Sequence, residues 1–186
     1  MTFFSRVHAA RAASTGTVRN NMNVVLEAGH CEAHLYGLYF LQGKSHIDNH
    51  TVVDNVNPNC YSNELYKGIM NDQSTGVFNG KIYVRPQAQK TNAYQSNKNV
   101  LLSDESTVNT KPQLEIFADD VKCSHGCTVG RLDEEGLFYL QSRGIPEKKA
   151  KALLLHGFAM DILEKIRLVP IRTYVDRLIS ERLELI

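Results

Sequence analysis

What this sequence lacks narrows its function before anything it contains does. It lacks an excess of charge: 21 Lys and Arg stand against 20 Asp and Glu, a net charge of +1. That balance gives no footing for nucleic acid or an anionic membrane as a partner. It lacks any run near the ~18 apolar residues that a transmembrane helix needs. The N-terminal stretch MTFFSRVHAARAAS has no continuous apolar segment of signal-peptide type, although its Ala and Ser give a faint transit-peptide flavour. A soluble, cytoplasmic protein is expected. No C-x-x-C pair occurs among Cys31, Cys60, Cys123 and Cys127, so neither a zinc ribbon nor a thioredoxin-like site is signalled. Four cysteines would permit two disulfides. A chain of 186 residues with 42% apolar content does not depend on them, and reduced thiols are expected. Also missing are the G-x-x-x-x-G-K-[ST] phosphate loop, the H-E-x-x-H zinc motif and the G-x-S-x-G nucleophile elbow. The chain reads as a non-enzyme, and any ATP hydrolysis belongs to a partner.

What is present divides into two kinds of pattern. From about residue 20 to 130 the chain is rich in Asn, Gly, Thr, Ser and Tyr, with short apolar runs between polar turns. Val24 to Leu26, Leu35 to Leu41, Ile82 to Val84, Val100 to Leu102 and Leu114 to Phe117 read as strands. Asn79-Gly80, between Val77-Phe78 and Ile82, is a tight-turn signal. No helical pattern intervenes, so a sandwich, barrel or solenoid is expected. Abundant Asn suits the corners of a β-helix, but no fixed repeat length is visible.

From Asp133 the pattern turns helical. Asp133 is a candidate N-cap, Glu134 and Glu135 suit the positive helix end, and Gly144 can close the helix at C′. Pro146 fits a first helical position. Ala150, Leu153, Leu154, Phe158, Ile162 and Ile166 then recur at three- and four-residue steps. Pro170 breaks that helix and starts a last one, with Ile171, Tyr174, Val175, Leu178 and Ile179 on one face. The expected architecture is mainly β: a core over residues 1–132, then about three helices over residues 133–186.

The chemistry-bearing residues are few. If Val121 to Val129 is a strand, Cys123, His125 and Cys127 share one face, about 7 Å apart at successive alternate positions. Thiolate and imidazole are ligand types for iron, iron–sulfur clusters, zinc and copper. That spacing is too wide to wrap one ion and better suits a site shared with a facing subunit. Against this stands the everyday role of Cys as a core-filling residue. His30, Cys31, His34, His46 and His50 match no metal-site spacing. Asp119-Asp120, adjacent on a strand, would point to opposite faces.

Several long words in one order resemble a known family. They are KPQLEIFADDVKCSHGCTVG from Lys111 to Gly130, LDEE from Leu132, LFYLQSRGIP from Leu137 to Pro146, TGVFNGKI from Thr75 and QAQKTNA from Gln87. VRNNMNVV from Val18 and CEAHLYG from Cys31 fit as well. From about residue 17 onward the chain is similar to the SufB/SufD family of iron–sulfur cluster assembly scaffolds. Its Cys123-Ser124-His125-Gly126 resembles the SufD branch. Family members are about twice as long, so the resemblance implies a C-terminal part with an N-terminally truncated core.

The resemblance implies a right-handed parallel β-helix followed by the helical segment. It implies a scaffold subunit of the SufBCD complex, with the helices docking the SufC ATPase and the end of the β-domain pairing with SufB. It implies no stably bound cofactor, only a transient iron–sulfur cluster at the SufB junction. His125 would be the metal ligand there and Cys123 a further cluster-binding residue; no role passes to Cys127. An uncovered β-helix end would also favour a homodimer in isolation. Two other functions remain as alternatives. One is a polysaccharide-active β-helix using Tyr36, Tyr39, Tyr61 and Tyr66. The other is a stand-alone metalloprotein using His30, His34, His46 and His50.

Overall fold

The computed structural model describes residues 3–10 and 16–184. Of the N-terminal transit-like stretch, residues 1–2 and 11–14 lie outside the described residues. Nine strands come first: β1 (Phe3–Ala10), β2 (Thr17–Leu26), β3 (Glu32–Leu41), β4 (His46–Asn55), β5 (Tyr61–Met70), β6 (Thr75–Val84), β7 (Asn92–Leu101), β8 (Thr107–Ile116) and β9 (Lys122–Gly130). Odd strands form one parallel sheet, β1-β3-β5-β7-β9, and even strands a second, β2-β4-β6-β8. Each strand thus pairs with the next but one, and the chain winds as a parallel β-helix of about four turns. The expected fold class is met.

The repeat that the sequence conceals lies in this winding. Glu32 pairs with Tyr61 and Thr17 with His46, 29 positions on; later coils lengthen, so that Thr75 pairs with Thr107. Corners repeat as well. Ser45, Ser74 and Ser106 each turn a hydroxyl onto the carbonyl three residues back, at 2.7–2.9 Å. Left-handed residues mark other corner positions: His30, Asn59 and Lys90 on one side, Gly43 and Asp72 on the other. Asn57 caps a corner by donating to the Glu27 carbonyl at 2.6 Å.

Two expectations are corrected here. Asn79-Gly80 makes no turn, because β6 runs straight through it. Gly80 is instead required by crowding inside the coil, where a Cβ would fall against the side chains of Phe78 and Gln95. Asp119-Asp120 lies in the bend before β9 rather than on a strand.

Strict alternation buries every second residue of β4, β6 and most of β7 in the lumen. Ile47, Val53, Phe78, Ile82, Val84 and Met70 fill it. Large residues fit where a glycine lies on the adjacent coil: Tyr66 lies against Gly37, and Tyr39 against Gly68. The buried Tyr39 hydroxyl donates to Asn99 Oδ1 at 2.6 Å, and desolvation pushes its pKa up to about 12.

Three helices follow: α1 (Glu134–Ser142), α2 (Glu147–Leu163) and α3 (Val169–Leu183). Asp133 caps α1 by accepting from the Gly136 amide at 3.1 Å. Gly144 (φ 82°) closes it, with its amide and that of Ile145 donating to the carbonyls of Gln141 and Leu140. Pro146 is the N-cap of α2, one position earlier than the sequence suggests, and Pro170 sits in the first turn of α3. The buried face of α2 is Ala150, Leu155, Ala159, Ile162 and Leu163, whereas Leu153 points outward. Leu155 and Leu183 pack with Ile69, Phe40 and Val100 on the outside of the odd-strand sheet, giving a second apolar core. Beside it Lys67, only 3% exposed, donates to the Phe158 carbonyl at 2.7 Å and to Asp161 at 2.6 Å.

The open terminal rung as candidate functional site

The last coil is built from β8 and β9, and neither pairs with a further strand among the described residues. Side chains that would face the lumen in a middle coil therefore face an open end. β9 continues the inward columns of its sheet: Ala93 lies beside Cys123, Gln95 beside His125, and Asn97 beside Cys127. The expected sharing of one face by Cys123, His125 and Cys127 is thus realised. Cys123 is half-buried and packs on the lumen core, while His125 and Cys127 are exposed. Burial pushes the Cys123 thiol above its ordinary range, opposed by a hydrogen bond with the Ala93 backbone. Exposed Ile116 and Phe117 follow the same rung on the β8 side, and Val129 on the β9 side.

This donor set comprises one soft sulfur and one imidazole nitrogen held two residues apart on a rigid strand. Among the described residues no group of three or more His, Cys, Asp or Glu is arranged to hold a metal ion. Cys123 and His125 stand on a rung whose strands pair with no further strand among the described residues.

The other candidates are not brought together. His34 lies on β3 against Tyr36 and Tyr61, whereas His46 and His50 lie on β4 of the other sheet, and His50 meets Asp48 at 2.8 Å. His30 belongs to a corner. This dispersal removes the basis for a four-histidine metal centre. Of the four tyrosines expected to form a polysaccharide platform, Tyr36, Tyr39 and Tyr66 are buried and Tyr61 is half-buried, so the four make no exposed platform. Cys31 and Cys60 are buried free thiols on neighbouring coils.

Sequence reasoning overlooked two lumen residues directly beneath the rung. Glu64 is fully buried on β5, and Gln95 above it donates from Nε2 to Glu64 Oε2 at 2.6 Å. Desolvation pushes the Glu64 pKa up to about 7, partly offset by Thr51 and Gln95. Thr51 is near enough to lower that value but forms no well-shaped hydrogen bond. Only the coil spacing, which puts Glu64, Gln95 and His125 in one column, would have marked them.

Comparison with known proteins shows the family. The family described as "SUF system FeS cluster assembly, SufBD core domain" matches residues 5–158, reaching upstream of the residue-17 limit read from the motifs. The iron-sulfur cluster assembly protein SufD of Escherichia coli is 46% identical over 124 residues, 67% of this chain and 29% of that protein. An iron-sulfur cluster assembly SufBD family protein of Synechocystis is 37% identical over 164 residues, 88% of this chain and 36% of that protein. One from Mycobacterium tuberculosis is 36% identical over 162 residues, 83% and 41% respectively. The chain thus spans between 29% and 41% of the lengths of these relatives. With that match and a SufD-type terminal rung ahead of three helices, the chain belongs to the SufBD core family of the SUF iron–sulfur cluster assembly system.

Proposed function

We propose that this chain is a non-catalytic scaffold of cytoplasmic iron–sulfur cluster assembly, working within a SufBCD complex. Its open rung pairs with a SufB-type subunit, and a nascent cluster, the cargo of the machine, is held there transiently by His125 with Cys123 beside it. In the absence of SufB a second copy of the chain covers the same rung. The observation that carries this reading is the placement of Cys123 and His125 on an uncovered last coil, rimmed by exposed Ile116, Phe117 and Val129. Two ligands on one strand hold a cluster incompletely, which suits handing it on.

The helices supply the second surface. Leu168, Val169, Ile171 and Tyr174 stay exposed at the start of α3, although an apolar helix face ordinarily packs away. We assign this face to the SufC-type ATPase, since the chain carries no phosphate loop of its own. The test is capture of a SufC-type ATPase by the intact chain and by a variant with Ile171→Ser and Tyr174→Ser. Capture by the intact chain alone supports the assignment. Equal capture by both sinks the α3 surface, and no capture by either sinks the scaffold reading.

A further inference from the structure

The column beneath His125 holds two buried oxygens without a hydrogen-bond partner, Glu64 Oε1 and Gln95 Oε1. Gln95 is 2% exposed, and its Nε2 is committed to Glu64 Oε2 at 2.6 Å on the coil below. Its Oε1 is buried and has no hydrogen-bond partner. A buried carbonyl oxygen left unpaired is unfavourable, and each such atom in a native protein calls for an explanation. An amide is planar, with oxygen and nitrogen on opposite sides, so fixing Nε2 toward Glu64 turns Oε1 away from it. The next coil in that direction places His125 beside Gln95 in strict parallel register, about 4.8 Å away between strands. The conformation of Gln95 is itself built in. Gly80, across the lumen, leaves the space that its amide occupies, and any Cβ there would fall 2.8 Å from Gln95 Cδ.

A neutral imidazole has one N–H and one lone pair, and the partner of the first decides where the second points. We infer that Gln95 is a positioning residue for His125: its Oε1 accepts the ring N–H of His125, Glu64 holds the amide in place, and the opposite ring nitrogen is thereby presented to the open end as a metal-ligating lone pair. The purpose, though not the hydrogen bond, rests on the reading of His125 as a cluster ligand. Glu64 acts through Gln95 and touches neither His125 nor cargo.

The experiment reads the tautomer directly. The intact chain, labelled with ¹⁵N in histidine, is examined by long-range ¹H–¹⁵N correlation at about pH 8.5, above the ordinary imidazole range. One tautomer of His125 should dominate, and Gln95→Met, which keeps the volume but removes the acceptor, should relax the ratio by about five-fold. Glu64→Leu should relax it by a smaller factor, whereas Glu64→Gln, which retains an acceptor for Gln95 Nε2, should restore the wild-type ratio. Equal tautomer populations in the unmodified chain overturn the inference even if no variant folds. An unchanged ratio in a folded Gln95→Met chain overturns it too. The scaffold reading fails separately. If His125→Ala leaves cluster assembly intact while the tautomer still follows Gln95, the hydrogen bond stands and the ligand role falls. If His125→Ala abolishes assembly while Gln95→Met leaves the tautomer unmoved, the inference alone is lost.

Discussion

Replacing Glu64 by Gln should change how stability depends on pH, in a direction set by burial. Glu64 is wholly buried, and desolvation raises its folded pKa from 4.5 to about 7. Below about pH 4.5 the carboxyl is protonated in both folded and unfolded chains, and its ionisation contributes nothing. Between 4.5 and 7 the folded chain keeps a proton that the unfolded chain has lost, so stability falls by about 1.4 kcal/mol per pH unit. Above 7 both states are ionised and the loss is constant, at about 3 kcal/mol for a shift of roughly 2.5 units. Gln retains an acceptor for Gln95 Nε2 and carries no charge. Glu64→Gln should therefore match the wild type near pH 4.5 and exceed it by about 3 kcal/mol at pH 8. Urea unfolding followed by far-UV circular dichroism across that range measures the difference. Parallel stability curves for the two chains would refute the reasoning, because a carboxylate ionised throughout has no such step.

Three further substitutions test packing. Asp161→Asn should destabilise the chain more than Lys67→Met, because it leaves the charge of a 3% exposed lysine uncompensated, whereas the reverse change leaves a 55% exposed carboxylate in water. The expected costs are about 3 kcal/mol and about 1 kcal/mol respectively, read as shifts in urea midpoint. Gly68→Ala should cost more than the ~1 kcal/mol of an ordinary glycine replacement, since its Cβ would meet the Tyr39 ring and lie 2.6 Å from Asn99 Oδ1. Thermal unfolding of that variant within a few degrees of the wild type would contradict the close contact of those two coils.

Much of the architecture was legible because it rests on local chemistry. Asp133, Gly144 and Pro170 punctuate the helices where capping and proline rules put them. The alternation of Cys123, His125 and Cys127 needs only a strand to give a shared face. Coil length was not legible, because in a parallel β-helix the repeat is one of position rather than of letters. Leu35, Glu64, Gln95 and His125 occupy one column and are four different residue types. The corner serines 45, 74 and 106 were the available signal. Asn79-Gly80 misled for a related reason: glycine served a crowded lumen rather than a positive φ. The face of α2 differs at Leu153, which the three- and four-residue steps group with the buried positions but which lies 47% exposed. Glu64 and Gln95 were invisible as a pair, since nothing in sequence connects residues on adjacent coils, 31 positions apart, until they are wound together.

The scaffold account is tested most directly by the cluster content of a complex of this chain with SufB- and SufC-type subunits, purified without oxygen, with His125 or with His125→Ala. Iron and acid-labile sulfide are measured beside the subunit ratio. The account predicts that His125→Ala leaves the subunit ratio unchanged while iron and sulfide fall at least several-fold. Unchanged iron and sulfide in an intact complex would contradict it, and the open rung would then be a joining surface without a part in holding the cluster.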